Sequence, residues 1–123
     1  MDGDFPLTCG DSINLKVIFD DGATPPNPID ISGRTLRFTI KFDYHDPDTA
    51  AIVQASVTFP ADADSRSGIG WFYASPDDTK RLPIGDEVWC DFQESYTDAR
   101  GKKIVNTLAV FKKRVGIDVT KDY

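Results

Sequence analysis

Asp30-Ile31-Ser32-Gly33-Arg34-Thr35-Leu36-Arg37-Phe38-Thr39-Ile40-Lys41-Phe42 is a turn that runs straight into a strand. Asp30 and Ser32 carry short polar side chains able to bond nearby backbone, and Gly33 tolerates positive φ. Leu36, Phe38, Ile40 and Phe42 then alternate with Arg37, Thr39 and Lys41. A period of two gives one apolar face and one wet face, which marks a half-buried strand.

The same alternation recurs on both sides. Ile13–Phe19 is a strand with Ile13, Leu15, Val17 and Phe19 inward. Asp20-Asp21-Gly22 stops it, and Pro25-Pro26-Asn27-Pro28 prevents regular pairing for several residues. Asp43 to Asp48 is a polar loop. Ile52–Phe59 is a third strand, with Val53, Ala55, Val57 and Phe59 on one face, and Ile69–Ala74 is a fourth whose aromatics face both ways. Ser75-Pro76-Asp77-Asp78-Thr79-Lys80-Arg81-Leu82 predicts the one helix of the chain. Ser75 is a good N-cap, Pro76 suits the first helical position, and Asp77 and Asp78 suit the positive helix end. Pro83 and Gly85 end it after roughly two turns. Glu87–Tyr96 is the fifth strand, with Val88, Cys90 and Phe92 inward. Asp98-Ala99-Arg100-Gly101 is a hairpin turn with Gly101 at positive φ. Lys103–Val115 is the sixth and longest strand, with room for a bulge. Six strands at turn-rich intervals and one short helix predict an all-β sandwich. The expectation is one domain over residues 1–123, with a core over 10–115. A short N-terminal arm precedes it, and a C-terminal tail from Gly116 is loose or pairs with a neighbour.

Charged residues are 28% and hydrophobic ones 40%, a soluble, globular balance. The length allows a core without disulfide staples. No apolar run approaches the roughly 20 residues of a membrane helix. Met1 to Pro6 has no apolar signal core, so synthesis in and initial residence in a cytoplasm are expected. In that compartment Cys9 and Cys90 are expected as reduced, half-buried thiols rather than a bridge.

The net charge of −6 argues against general nucleic-acid binding. It also hides a split. Residues 1–98 hold 18 acidic and 7 basic side chains, a net of −11, and residues 99–123 hold 2 and 7, a net of +5. The cations are Arg100, Lys102, Lys103, Lys112, Lys113, Arg114 and Lys121. Either they mix with the acidic bulk of the same domain, or they form a basic surface that docks on an acidic neighbour, another copy included.

Catalytic and metal signatures are thin. His45 is the single histidine, in a loop with Asp43, Asp46 and Asp48. Zinc recruits several His or Cys ligands, and no serine lies in a nucleophile elbow. Asp62-Ala63-Asp64-Ser65-Arg66-Ser67-Gly68 echoes a calcium loop, but Arg66 occupies a ligand position and the closing carboxylate is missing. A plain acidic hairpin turn is expected there. Asp20-Asp21, Asp77-Asp78 and Asp86-Glu87 are adjacent pairs in turns or helix starts, not carboxyls set across a cleft. Trp71, Phe72, Tyr73 and Trp89 either fill the core or leave one face for a partner protein or a carbohydrate.

Gly10-Asp11-Ser12 opening a strand, the proline loop before Ile29-Asp30-Ile31-Ser32-Gly33, the Thr35–Phe42 strand, the Ser75–Gly85 helix-turn and the final hairpin occur in order over residues 10–115. In that order the chain resembles an immunoglobulin-like β-sandwich domain of tailed-phage virions, such as the N-terminal domain of upper baseplate proteins and related tail or head modules. The resemblance implies an antiparallel sandwich of six to seven strands with one short helix. It implies a non-enzymatic structural or adaptor protein of a bacteriophage tail, baseplate or capsid, present in many copies. No cofactor, metal, nucleic acid or membrane is expected. The partners would be other virion proteins or further copies. The charge split and the aromatic strand, features in which the chain departs from that family, place the contact at Arg100, Lys102, Lys103, Lys112, Lys113, Arg114, Trp71 and Tyr73. The competing reading is a carbohydrate-binding sandwich for host-surface recognition.

Overall fold

The computed structural model describes residues 5–116. Six strands, β1 (Ile13–Ile18), β2 (Thr35–Lys41), β3 (Val53–Thr58), β4 (Ile69–Ala74), β5 (Glu87–Thr97) and β6 (Lys103–Arg114), form an all-β sandwich. One sheet has the order β3-β2-β5-β6 and the other pairs β1 with β4, every neighbour antiparallel. The tail beyond Gly116, with Lys121, and the first four residues of the arm lie outside the described residues.

The alternation in each strand sets the core. Leu36, Phe38 and Ile40 of β2 stand opposite Glu94, Phe92 and Cys90 of β5 and opposite Val57, Ala55 and Val53 of β3. Phe38 and Phe92 stack with centroids 4.4 Å apart, and Phe72 from β4 meets both edge-on at 5.9 and 5.7 Å. That triad joins the two sheets. Truncating a buried phenylalanine to alanine costs about 3–5 kcal/mol, a large part of the 5–15 kcal/mol that holds a typical domain.

Residues 5–9 belong to this core and not to an arm outside it. Phe5 lies edge-on to Phe38, Phe92 and Phe111, and Leu7 and Cys9 are buried. Two strands cannot cover four, and this segment fills the uncovered side. Gly116 donates its N–H to the Leu7 carbonyl at 2.8 Å, fastening the segment to the end of β6.

Phe42 also departs from the expected pattern. It is exposed, because β2 ends at Lys41 and the last β3 and β5 partners are Val53 and Trp89. On β6 the register shifts between Phe92 and Gln93, leaving Leu108 without an opposite residue. The bulge lets Ala109 and Phe111 face inward at one end and Asn106 and Ile104 at the other.

Two helices of one turn each replace the single two-turn helix expected. The first, α1, is Ala63–Arg66, where a plain turn was expected. Asp62 caps it, accepting the Ser65 N–H at 2.8 Å, so the Asp-x-x-Ser spacing is an N-cap signal rather than a hairpin signal. The second, α2, is Pro76–Thr79, held by a reciprocal Ser75–Asp78 capping box. It stops a turn early because Pro83 disfavours helical Leu82. The Thr79 hydroxyl meanwhile donates to the Asp11 carbonyl at 2.7 Å. A 3-10 turn at Asp48–Ala50 begins at the last residue of the expected polar loop and extends beyond it.

Gly70 marks a close approach. A Cβ there would lie 2.4 Å from Cε1 of the buried Phe59 ring. Gly70→Ala is therefore expected to lower unfolding free energy by about 1–3 kcal/mol through overpacking. Urea denaturation checks this, and an unchanged midpoint would contradict it.

Candidate functional site

The outward residues of the two-stranded sheet are Asn14, Lys16 and Ile18 on β1 and Ile69, Trp71 and Tyr73 on β4. Lys16 stands opposite Trp71, with its ammonium 5.7 Å from the ring centroid. Ile18, Trp71 and Tyr73 are 66%, 58% and 55% exposed. The inward Phe72 between the two aromatics is buried, so the aromatics do face both ways. Solvent-facing sheet surfaces ordinarily carry polar residues, and clustered exposed aromatics mark an interaction surface. A groove of about 190 Å³ continues this patch, lined by Val57, Phe59, Ile69 and Trp71 together with Asp62 and Asp64.

The cations do not form one patch. Arg100, Lys102 and Lys103 are exposed at the β5–β6 turn. Lys112, Lys113 and Arg114 lie at the other end of β6, about 30 Å away at strand rise. The tip is rigid: Asp98 Oδ1 accepts the N–H groups of Arg100 and Lys102, and Gly101 has φ 79°. At the far end the side chains have internal partners. Lys113 points inward, 4.9 Å over the Phe5 ring, Lys112 lies 5.0 Å over Trp89, and Arg114 donates to the Gly85 carbonyl.

The outer face of the four-stranded sheet holds a second feature: Trp89, one of the candidate platform aromatics, is joined there by Tyr44, whose part sequence reasoning missed. Trp89 has outward parity between inward Val88 and Cys90, and that parity was the available signal. Tyr44, from the loop after β2, tilts over it with centroids 5.5 Å apart and 57° between planes. His45 packs edge-on to Tyr44. Lys41 holds the loop, donating to the Asp46 carbonyl and pairing with Asp48, both at 2.8 Å. The loop closes on itself, His45 N–H to Asp43 Oδ1 and Asp43 N–H to Asp46 Oδ2. Together Asp43, Tyr44, His45, Trp89 and Val110 line an open concavity of about 410 Å³. Burial pushes the neighbouring Asp91 carboxyl up, with the Lys41 charge opposing.

The remaining polar candidates have structural tasks. Asp21 accepts N–H groups from Asn27 and Ala23 and the Asn27 side-chain amide, which hold the proline loop and lower its carboxyl to about 2. Glu94 is buried between Arg34 at 3.2 Å and Asn106 at 3.1 Å, with Arg34 stacked 3.8 Å over Tyr96. Cys9 and Cys90 are buried free thiols, and burial raises Cys90 to about 12. Among the described residues no group of three or more His, Cys, Asp or Glu is placed to hold a metal ion. No helix among them is long and apolar enough to cross a membrane.

The Lys41–Asp48 pair should set whether Tyr44 stays over Trp89. Lys41 lowers Asp48 below its ordinary 3.8, and Asp48 raises Lys41 above its ordinary 10.5. The pair is therefore complete between those ordinary values. It is lost as acid passes the depressed Asp48 value or alkali the raised Lys41 value. Nuclear Overhauser contacts between the two rings are expected to persist through neutral pH, weaken in strong acid, and vanish in Lys41→Met while the sheets stay folded. Contacts unaffected by Lys41→Met would refute the anchoring role. No protein-family model matches this chain, and no curated protein matches it significantly.

Proposed function

We propose that this chain is a non-catalytic docking module in a multi-copy assembly, a structural or adaptor part of a tailed-phage virion. The observation that carries the docking role is the uncovered Ile18–Trp71–Tyr73 face, which the core does not need. The virion assignment rests on the order of segments from Gly10-Asp11-Ser12 to the final hairpin, which resembles immunoglobulin-like modules of tails and baseplates. A non-catalytic role is supported by the employment of Asp21, Asp62, Asp78 and Asp98 in loops, caps and turns.

A neighbouring subunit would cover the aromatic face, bringing apolar area out of water. A second copy meets the need by itself. Its Arg100-Gly101-Lys102-Lys103 tip is cationic, and the groove beside Trp71 is flanked by Asp62 and Asp64. Contact between unlike surfaces propagates into a ring or stack, which suits a multi-copy role. Such a protein would be made in the host cytoplasm and end in the virion.

Trp71→Ala with Tyr73→Ser should leave stability within about 1 kcal/mol, as for other exposed sites. It should abolish incorporation, read by a mass-spectrometric inventory of purified particles. Charge reversal of Arg100, Lys102 and Lys103 should keep the fold, slow association and weaken its salt dependence. Normal incorporation of the double aromatic variant would sink the docking assignment.

A further inference from the structure

The concavity at Tyr44 and Trp89 lies on the opposite sheet from the docking face. It is unexplained by packing: Tyr44 is 48% exposed and Val110 41%, on a face that otherwise carries, apart from Trp89 and Val105, only Thr, Ser, Gln, Arg, Lys, Asp and Glu. Its wall is built in advance. Lys41, Asp43, Asp46 and Asp48 fix the loop that carries Tyr44 and His45, so the rings face the opening without closing it. A volume of about 410 Å³ is within the ordinary range for a small-molecule site.

The charges around the opening select the ligand. Asp43 lines the opening, and Lys112 is cationic over the Trp89 ring. A cationic ligand would meet Lys112, and an anionic one would meet Asp43. A nucleotide brings phosphate to a chain of net charge −6. A neutral ligand remains. It needs an apolar face for the rings and groups that both donate and accept around its edge. Asp43 only accepts, Lys112 only donates, and Tyr44 and His45 can do either. A pyranose has that make-up: axial C–H bonds on one face and hydroxyls around the rim.

We propose that the Tyr44–Trp89 concavity binds a neutral pyranose sugar, with the rings as stacking platform and Asp43, His45 and Lys112 addressing hydroxyls. The site is independent of the docking face, and either can fail without the other.

Trp71→Phe leaves Trp89 as the sole tryptophan, so its emission reports on the concavity alone. The full chain carrying that change would be titrated with cellotriose, maltotriose and triacetylchitotriose at millimolar concentrations. Glucosamine and glucuronic acid serve as charged comparators. The expected result is a saturable change in emission with at least one neutral trisaccharide. Tyr44→Ala, in an exposed loop, should weaken it about fivefold, the equivalent of about 1 kcal/mol for an aromatic partner, with circular dichroism unchanged. No saturable change with any of the trisaccharides overturns the proposal. So does binding that survives Tyr44→Ala, or tighter binding of either charged sugar.

Discussion

The stack of Phe38 on Phe92, with Phe72 edge-on to both, is the constraint from which the rest of this sandwich follows. Phe38 and Phe92 come from adjacent strands of the four-stranded sheet and Phe72 from the two-stranded one. Aromatic pairs of this kind add about 0.5–1.5 kcal/mol beyond the area they bury. The geometry matters more than the sum. Once Phe38 and Phe92 are opposite each other, a one-residue slip would expose every inward side chain of β2 and β5. Register, and with it the outward parity of Trp89, is fixed by the core.

The imbalance of two strands over four dictates the second tier of contacts. The side of the large sheet left open by β1 and β4 is closed by Phe5, Leu7 and Cys9. Those residues are held from two directions. Gly116 and Thr8 bridge the segment to the end of β6, and the Cys9 thiol donates to the Lys80 carbonyl beside α2 at 3.3 Å. Thr79, fully buried, ties α2 to Asp11. A helix of one turn is worth little alone. Here it is a clamp on the segment that completes the core, which accounts for a full capping box on so short an element.

Much of this was legible in the sequence. The alternation through Leu36, Phe38 and Ile40, the inward Val88-Cys90-Phe92 set and Gly101 in the hairpin turn are local signals, and each is realised. What failed depends on partners distant in sequence. Phe42 continues the alternation, but strands β3 and β5 end before it, so parity alone put it inward. Phe5 looks like part of an acidic arm until the two-over-four arrangement creates a gap for it. Asp62-Ala63-Asp64-Ser65 is the local exception: its cap spans only three residues, and an acidic turn has the same composition. The cations at 100–103 and 112–114 are one basic end in the sequence and two ends of a hairpin in space, because a twelve-residue strand separates them.

The two outer faces then differ in kind, and the difference bears on function. On the β1–β4 face Ile18, Trp71 and Tyr73 stand out from a sheet of two strands, with Lys16 leaning on Trp71 and a groove beside it. Such a surface suits a broad partner. The β2–β5–β6 face is concave at one place, where a loop fixed by four polar residues brings Tyr44 to Trp89. A loop built only to cap a strand end would not need an aromatic leaning on a neighbouring sheet position, nor an ion pair to hold it there. Covering Trp89 completely would have served stability better, by roughly 25 cal/mol for each Å² of apolar surface removed from water. The ring is instead half-buried, flanked by Tyr44 and Lys112 at the edge of the concavity.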